Sequence, residues 1–256
     1  MDLKIAGKRA LVMGASRGLG RAVAEGLLAE GVEVIAVSRN ADTIKAWAKD
    51  VPGLTALSAD LSDLASVDAL IAAILAMGGV DILVNNSGGP APGAAATAPR
   101  GDWLTQFEAM AANLFHLTAG LLPGMKDRKW GRIVTIASSG VEQPIPNLAL
   151  SNGIRAAVVG WSKTLAAEVA ADGVTVNIVM PGRIQTTRVA ELDAAAANRT
   201  GSTVDAVQKA SAAAIPAGRY GRPEEFAAMV VFLASDLASY VTGSRLRVDG
   251  GAIRSI

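Results

Sequence analysis

At 256 residues, 51% hydrophobic and 18% charged, the chain is long enough to bury one full α/β core, and a single domain over 1–256 is expected. A net charge of +1 with no long basic run gives no basis for binding nucleic acid or an acidic membrane surface. The absence of cysteine excludes disulfide and thiolate chemistry; without a bilayer-length apolar run or a recognisable leader, the expectation is a cytoplasmic protein with no membrane partner.

Short apolar runs alternate with longer helical patterns along nearly the whole chain. Strands are expected at 9–13, 33–37, 54–58, 82–85, 132–137, 175–179 and 246–248. Several are continuously apolar, as strands covered on both faces should be. Helical spacing marks 18–29, 41–49, 64–77, 102–127, 148–171 and 223–234. The alternation predicts a doubly wound parallel sheet of Rossmann type, with right-handed crossovers and helices on both faces. Ligands on such sheets sit beyond the carboxyl ends of the strands. Two stretches interrupt the rhythm. The small-residue, proline-rich 88–101 is expected to form a loop over the strand ends. The alanine-rich insertion at about 187–217 reads as a hinged helical lid or as a plain surface helix pair.

The first strand runs into Gly14-x-x-x-Gly18-x-Gly20 and then a helix. Glycines let the backbone turn sharply and approach a pyrophosphate, and the N–H groups and dipole of the next helix then face the phosphates. At the end of the second strand stands Val37-Ser38-Arg39, with no acid to bond both ribose hydroxyls, and Arg17 lies within the glycine turn. Two guanidiniums beside one ribose fit a 2′-phosphate, so NADPH is expected over NADH. Asp60 follows the third strand, as an acceptor for an adenine amino group or as an N-cap of the next helix.

Further along come Ala59-Asp60-Leu61, Asn85-Asn86-Ser87-Gly88, Pro181-Gly182, and an ending with Val241-Thr242-Gly243-Ser244 and Val248-Asp249-Gly250-Gly251. Each motif is weak alone, but together and in this order they make a specific pattern. The chain resembles the short-chain dehydrogenase/reductase family over essentially its whole length, and most of all its β-ketoacyl carrier-protein reductase branch. The resemblance implies that NADP(H) is held by Gly14, Ser16, Arg17, Gly18, Leu19, Gly20, Ser38, Arg39, Asp60, Leu61, Asn86, Ser87, Gly88, Pro181, Gly182, Ile184 and Thr186. Within this set, the Ile184 backbone and the Thr186 hydroxyl would hold the nicotinamide carboxamide. It implies no metal. It also implies a homotetramer in which the helices at 102–127 and 148–171 pair across a two-fold axis.

The family's usual tetrad is asparagine, serine, tyrosine and lysine. Alignment on Gly131-Arg132-Ile133 and Gly160-Trp161-Ser162-Lys163 needs no gap between them. The serine is Ser138, with Ser139 beside it; the tyrosine position holds Ser151 and the lysine position Arg155. Met110 takes the asparagine position, with Asn113 one turn further on. A serine hydroxyl is a far weaker acid than a phenol, and arginine keeps its proton at working pH. The candidate catalytic residues are therefore Ser138, Ser151 and Arg155, donating hydrogen bonds to a developing oxyanion while a water relayed through Ser151 brings the proton. Glu142, Asn147, Asn152 and His116 are other polar groups within reach by sequence, with helix packing the favoured role for His116.

The leading expectation is an NADP(H)-dependent reductase of a small carbonyl (or imine) compound with altered proton delivery. One alternative is a dinucleotide-binding sensor or structural protein that has lost turnover. Another is a dehalogenase-like non-redox enzyme, although halohydrin dehalogenases keep the tyrosine and lose the glycine turn, the reverse of this chain.

Overall fold

The computed structural model describes residues 2–255, with seven strands and nine α-helices among them. In chain order these are β1 (Arg9–Met13), α1 (Gly18–Ala29), β2 (Glu33–Ser38), α2 (Asp42–Trp47), β3 (Leu54–Ser58), α3 (Leu64–Ala76), β4 (Ile82–Asn85) and α4 (Arg100–Phe107). Then follow α5 (Asn113–Asp127), β5 (Gly131–Ile136), α6 (Ala149–Val169), β6 (Val174–Pro181), α7 (Thr187–Thr200), α8 (Val204–Ala213), α9 (Pro223–Leu233) and β7 (Arg245–Val248). All strand pairings are parallel, and the sheet order is β3-β2-β1-β4-β5-β6-β7. The expected doubly wound α/β sheet is therefore the observed fold.

Strand pleating sorts β1 between two cores. Ala10 and Val12 point to the layer containing Val23 and Leu27 of α1 and Phe226 and Val230 of α9. Leu11 and Met13 point to the opposite layer, with Val67 and Leu70 of α3, Leu117 and Leu121 of α5, and Ala166 of α6. Burial on both faces explains the unbroken apolar run; each large aliphatic side chain removed from water contributes about 1.5–3 kcal/mol. Strand order reverses at β1, which pairs with β2 on one side and β4 on the other. The carboxyl ends of β1 and β4 consequently open a crevice, and the glycine turn stands at its edge.

The segment expected as one helix at 102–127 is interrupted. Between α4 and α5 lies a π-helical stretch, Glu108–Ala112. α4 carries no buried residue, whereas α5 buries Leu114, Leu117, Leu121 and Met125. The wider π turn re-phases the helix so that this apolar stripe meets the sheet. The insertion after β6 forms α7 and α8, joined at Gly201, which takes a left-handed conformation (φ 64°) as the C-cap of α7.

Candidate active site

The glycine turn is built by close backbone approach. Gly14 and Gly18 have φ of +64° and +60°, and a Cβ on Gly14 would stand 2.7 Å from Asn86 Nδ2. A Cβ on Gly20 would collide with the Gly14 carbonyl oxygen. Asn86 closes the turn from β4, donating from Nδ2 to the Met13 carbonyl at 3.2 Å. The Ala15 N–H donates to the Val37 carbonyl (2.9 Å), tying the turn to β2. Helix α1 then begins at Arg17 with no side-chain cap and no acid in its first turn. Its leading amides, around Gly18, Leu19 and Gly20 and next to Ser16, thus carry the positive end of the dipole with no carboxylate in the helix's own first turn.

At the end of β2, Ser38 is buried and its hydroxyl donates to the Asn40 carbonyl (2.8 Å), while Arg39 is exposed. Arg17 lies 3.5 Å from Glu191 of α7, and Arg39 lies close enough to Asp60 to favour its ionised form. Each arginine thus has an acidic neighbour, a compensation that was not apparent from the sequence. Asp60 is held below the usual carboxylate range chiefly by the Ser62 N–H, then by the Ser62 hydroxyl, with Arg39 adding to both. The N-cap of α3 is not Asp60 but Asp63, whose carboxylate accepts from Ala65 N–H, because the helix starts at Leu64. The Leu61 carbonyl accepts a 2.7 Å bond from Asn113 Nδ2.

Beyond β4, the Ser87 hydroxyl is buried without a hydrogen-bond partner, and Gly88 is exposed with open space where a side chain would project. Beyond β6, the Gly182 N–H donates to the Val248 carbonyl at 3.0 Å, so Pro181-Gly182 is locked to β7. Ile184 is buried and bridges to Gly221. The Thr186 hydroxyl caps α7, accepting from Val189 N–H and donating to the Ile184 carbonyl, each at 3.3 Å. A groove of about 990 Å³ borders Arg17, Gly18, Gln185 and Thr186 and extends to α8 and Tyr220. Ser138, Ser151 and Arg155 do not line it.

The three candidate catalytic residues come from the end of β5 and the start of α6. Ser138 Oγ accepts from Gly140 N–H (3.0 Å), capping a short 3-10 turn, Ser139–Val141. Ser151 lies buried in the first turn of α6, and Arg155 follows one turn later on the same side of the helix. Arg155 Nη1 donates to the Ile136 carbonyl at 3.0 Å, and Nη2 lies 3.4 Å from both the Ser87 and Gly88 carbonyls. One guanidinium thus pins together the carboxyl ends of β4 and β5. Burial lowers its pKa to about 10, with the nearby Arg188 charge adding to the shift, and it remains cationic at neutral pH.

The neighbouring side chains make contacts of their own. Met110 packs with Leu150, Ile154 and Val158. Asn113 is buried, and its Nδ2 donates to the Leu61 carbonyl. His116 Nε2 meets Asp68 at 2.6 Å, joining α5 to α3 at the surface. Glu142 pairs with Arg247, Asn152 clamps the Ile145 backbone, and Asn147 occupies a left-handed turn position (φ 62°). Arg188, Glu191 and Asp193 of α7 were missed. Their only sequence signal is a position just after the Pro181-Gly182 segment.

An uncapped helix behind a glycine turn, an orphaned Ser87 hydroxyl in the crevice and no acid at the end of β2 fit a phosphorylated dinucleotide. Fold and site together define a dinucleotide-binding protein of Rossmann type. Residues 14–252 match a family described as enoyl-(acyl carrier protein) reductase. The chain is 38% identical over 250 residues to the 3-oxoacyl-(acyl-carrier-protein) reductase of Salmonella typhimurium, covering 96% of this chain and 97% of that protein. L-sorbose reductase from Gluconobacter frateurii, solved with NADPH and L-sorbose, superposes with a TM-score of 0.93 at 34% identity, covering 100% of both chains. YwfH, an NADPH-dependent reductase involved in bacilysin biosynthesis, gives 0.93 at 29% identity, covering 98% of this chain and 100% of its own. The chain belongs to the short-chain dehydrogenase/reductase family.

Proposed function

We propose that this protein is an NADPH-dependent reductase of a small carbonyl (or imine) compound in which Ser151 and Arg155 replace the family's tyrosine and lysine. The observation that carries this reading is Arg155: a permanently cationic guanidinium set across the ends of β4 and β5, where the crevice opens. When bound, NADPH supplies a hydride. The turn from Gly14 to Gly20, with Ser16, Arg17, Gly18 and Leu19, would hold its phosphates. Ser38 and Arg39 would face the phosphorylated ribose, with Asp60 and Leu61 at the adenine. Asn86, Ser87 and Gly88 would take the ribose, and Pro181, Gly182, Ile184 and Thr186 the nicotinamide side.

Within the substrate pocket, Arg155 donates to the substrate oxygen as negative charge develops there, in a site where burial strengthens the interaction. It releases no proton, so the proton reaches the oxygen from water ordered by Ser138 and Ser151. Losing a positioned phenol costs on the order of 10² to 10⁴ in rate, so turnover is slower than with an intact tetrad. We further place the chain as a single domain, a homotetramer and a cytoplasmic protein, with α7 and α8 forming a lid over the substrate. Among the described residues, no helix is long and apolar enough to cross a membrane.

A second reading, a binding protein without turnover, draws on Ser138, whose hydroxyl is already engaged as a cap. The test is NADPH consumption by the purified protein across a panel of ketones, aldehydes and cyclic imines, beside a direct NADPH titration. The reductase reading expects consumption with at least one class. Tight NADPH binding with no consumption by any member supports the second reading instead.

A further inference from the structure

We infer that the substrate of this site carries a carboxylate, recognised by Arg155 and Arg188 across the loop that follows β4. The inference rests on the proposed reductase activity and names its substrate class.

The two guanidiniums grip one short segment from different elements. From α6, Arg155 reaches the Ser87 and Gly88 carbonyls. From α7, Arg188 Nη2 donates to the Pro90 carbonyl at 2.7 Å, and its head lies against Gly89. Between them Gly88 and Gly89 are exposed, and open space stands above Gly88. Like charges converging on so short a segment repel each other, and the Arg188 charge disfavours the charged form of Arg155. Among the described residues, Arg155 has no carboxylate within ion-pair distance, and the only acid near Arg188 is Glu191 at 3.8 Å. Glu191 is itself shared, because Arg17 of the glycine turn stands 3.5 Å from it. Arg17 and Arg188 thus share one acid while Arg155 has none, an excess of positive charge beside the crevice.

A guanidinium held by backbone carbonyls still presents N–H groups outward, and its planar fork matches a carboxylate. A substrate carboxylate adjoining the oxo oxygen that Arg155 holds relieves the repulsion and satisfies Arg188 as well. The neutral thioester of a carrier-bound acyl group offers no such charge, so the site discriminates oxo acids from oxo thioesters and esters. The reaction balances as before. The oxo carbon gains a hydride from NADPH and the oxygen a proton from water, giving a hydroxy acid and NADP+ with the carboxylate untouched.

The experiment compares 2-oxohexanoate and 3-oxohexanoate with their methyl esters, following NADPH oxidation, and measures NADPH affinity by fluorescence. The native chain should favour one acid over its ester by about 10- to 100-fold in kcat/KM, the range for a charge-assisted contact. Arg188→Gln should collapse that ratio toward one through a raised KM for the acid, with NADPH affinity unchanged, and Arg188→Lys should restore part of it. Equal use of acid and ester, or an Arg188→Gln variant that loses NADPH affinity instead, overturns the inference. Calorimetry on the NADPH complex separates reductase activity from carboxylate recognition. An acid that binds without turnover defeats the reductase reading alone, and turnover of esters without preference defeats the carboxylate reading alone. If neither acid binds nor turns over, the carboxylate reading fails as well.

Discussion

Asn86 and Gly14 are built around each other: the Asn86 amide nitrogen lies 3.5 Å from the Gly14 carbonyl, and a methyl group on Gly14 would stand 2.7 Å from that nitrogen. The contact joins the end of β4 to the glycine turn. Gly20 completes the arrangement, since any side chain there strikes the Gly14 carbonyl.

Gly20→Ala should therefore lower stability by about 1–3 kcal/mol, the usual cost of forcing a methyl group into a closed site. It should also weaken NADPH binding by about tenfold or more, because the turn must open to admit the methyl group and the helix amides lose their aim. Denaturant unfolding and a fluorescence titration measure the two effects separately.

Arg39 stands just beyond β2 with no acid adjacent to it in the chain, and its charge favours the ionised form of Asp60. Arg39→Ala should reduce NADPH affinity by about 10- to 100-fold while changing NADH affinity little, as expected for losing a charged hydrogen bond to the 2′-phosphate. Equal losses for both cofactors would remove the basis for the NADPH preference.

Replacing Ser151→Tyr together with Arg155→Lys rebuilds the family's proton donor. Steady-state reduction of a simple ketone should rise by about 10² to 10⁴, the range for a positioned general acid. No gain would mean that the pocket around Met110 and Leu150 no longer accepts a phenol there.

Glu225 closes a capping box at the start of α9. Its pKa falls to about 2, first through the Arg219 guanidinium and then through the Arg222 N–H. A carboxyl group with a lowered folded-state pKa stabilises above its unfolded value, near 4.3, and loses that contribution as pH falls toward about 2. The melting temperature of the native chain should thus drop more between pH 6 and pH 3 than that of Glu225→Gln.

α7 is fastened by Asp193, which is fully buried, pairs with Arg183 and accepts from the Tyr220 hydroxyl at 3.0 Å. Asp193→Ala strands both partners and should cost about 1–3 kcal/mol. If α7 and α8 act as a lid, limited proteolysis should then cut first within 187–217 and NADPH should slow it.

Much of the fold was legible because strands buried on two faces must be continuously apolar, as β1 and β4 are over the expected bounds. The π-helical stretch at Glu108–Ala112 was not legible, since a single extra residue leaves the helical spacing on each side intact. At the site, residue types were readable but their engagements were not. Ser38, Ser138 and Thr186 each spend a hydroxyl bond on nearby backbone, a local geometry that sequence spacing does not encode. Arg188 escaped notice because its importance comes from sharing the 87–90 loop with Arg155, a contact between elements far apart in the chain.

On the proposed reading, Arg155 takes over at the reacting oxygen the work that the family's tyrosine and lysine do. Single-turnover NADPH oxidation by native and Arg155→Ala protein, with the best carbonyl substrate and both ligands saturating, tests it most directly. The expected result is a fall of about 10² to 10³ in the hydride-transfer rate, in line with removing an oxyanion donor. An Arg155→Ala protein that transfers hydride at the native rate would contradict it.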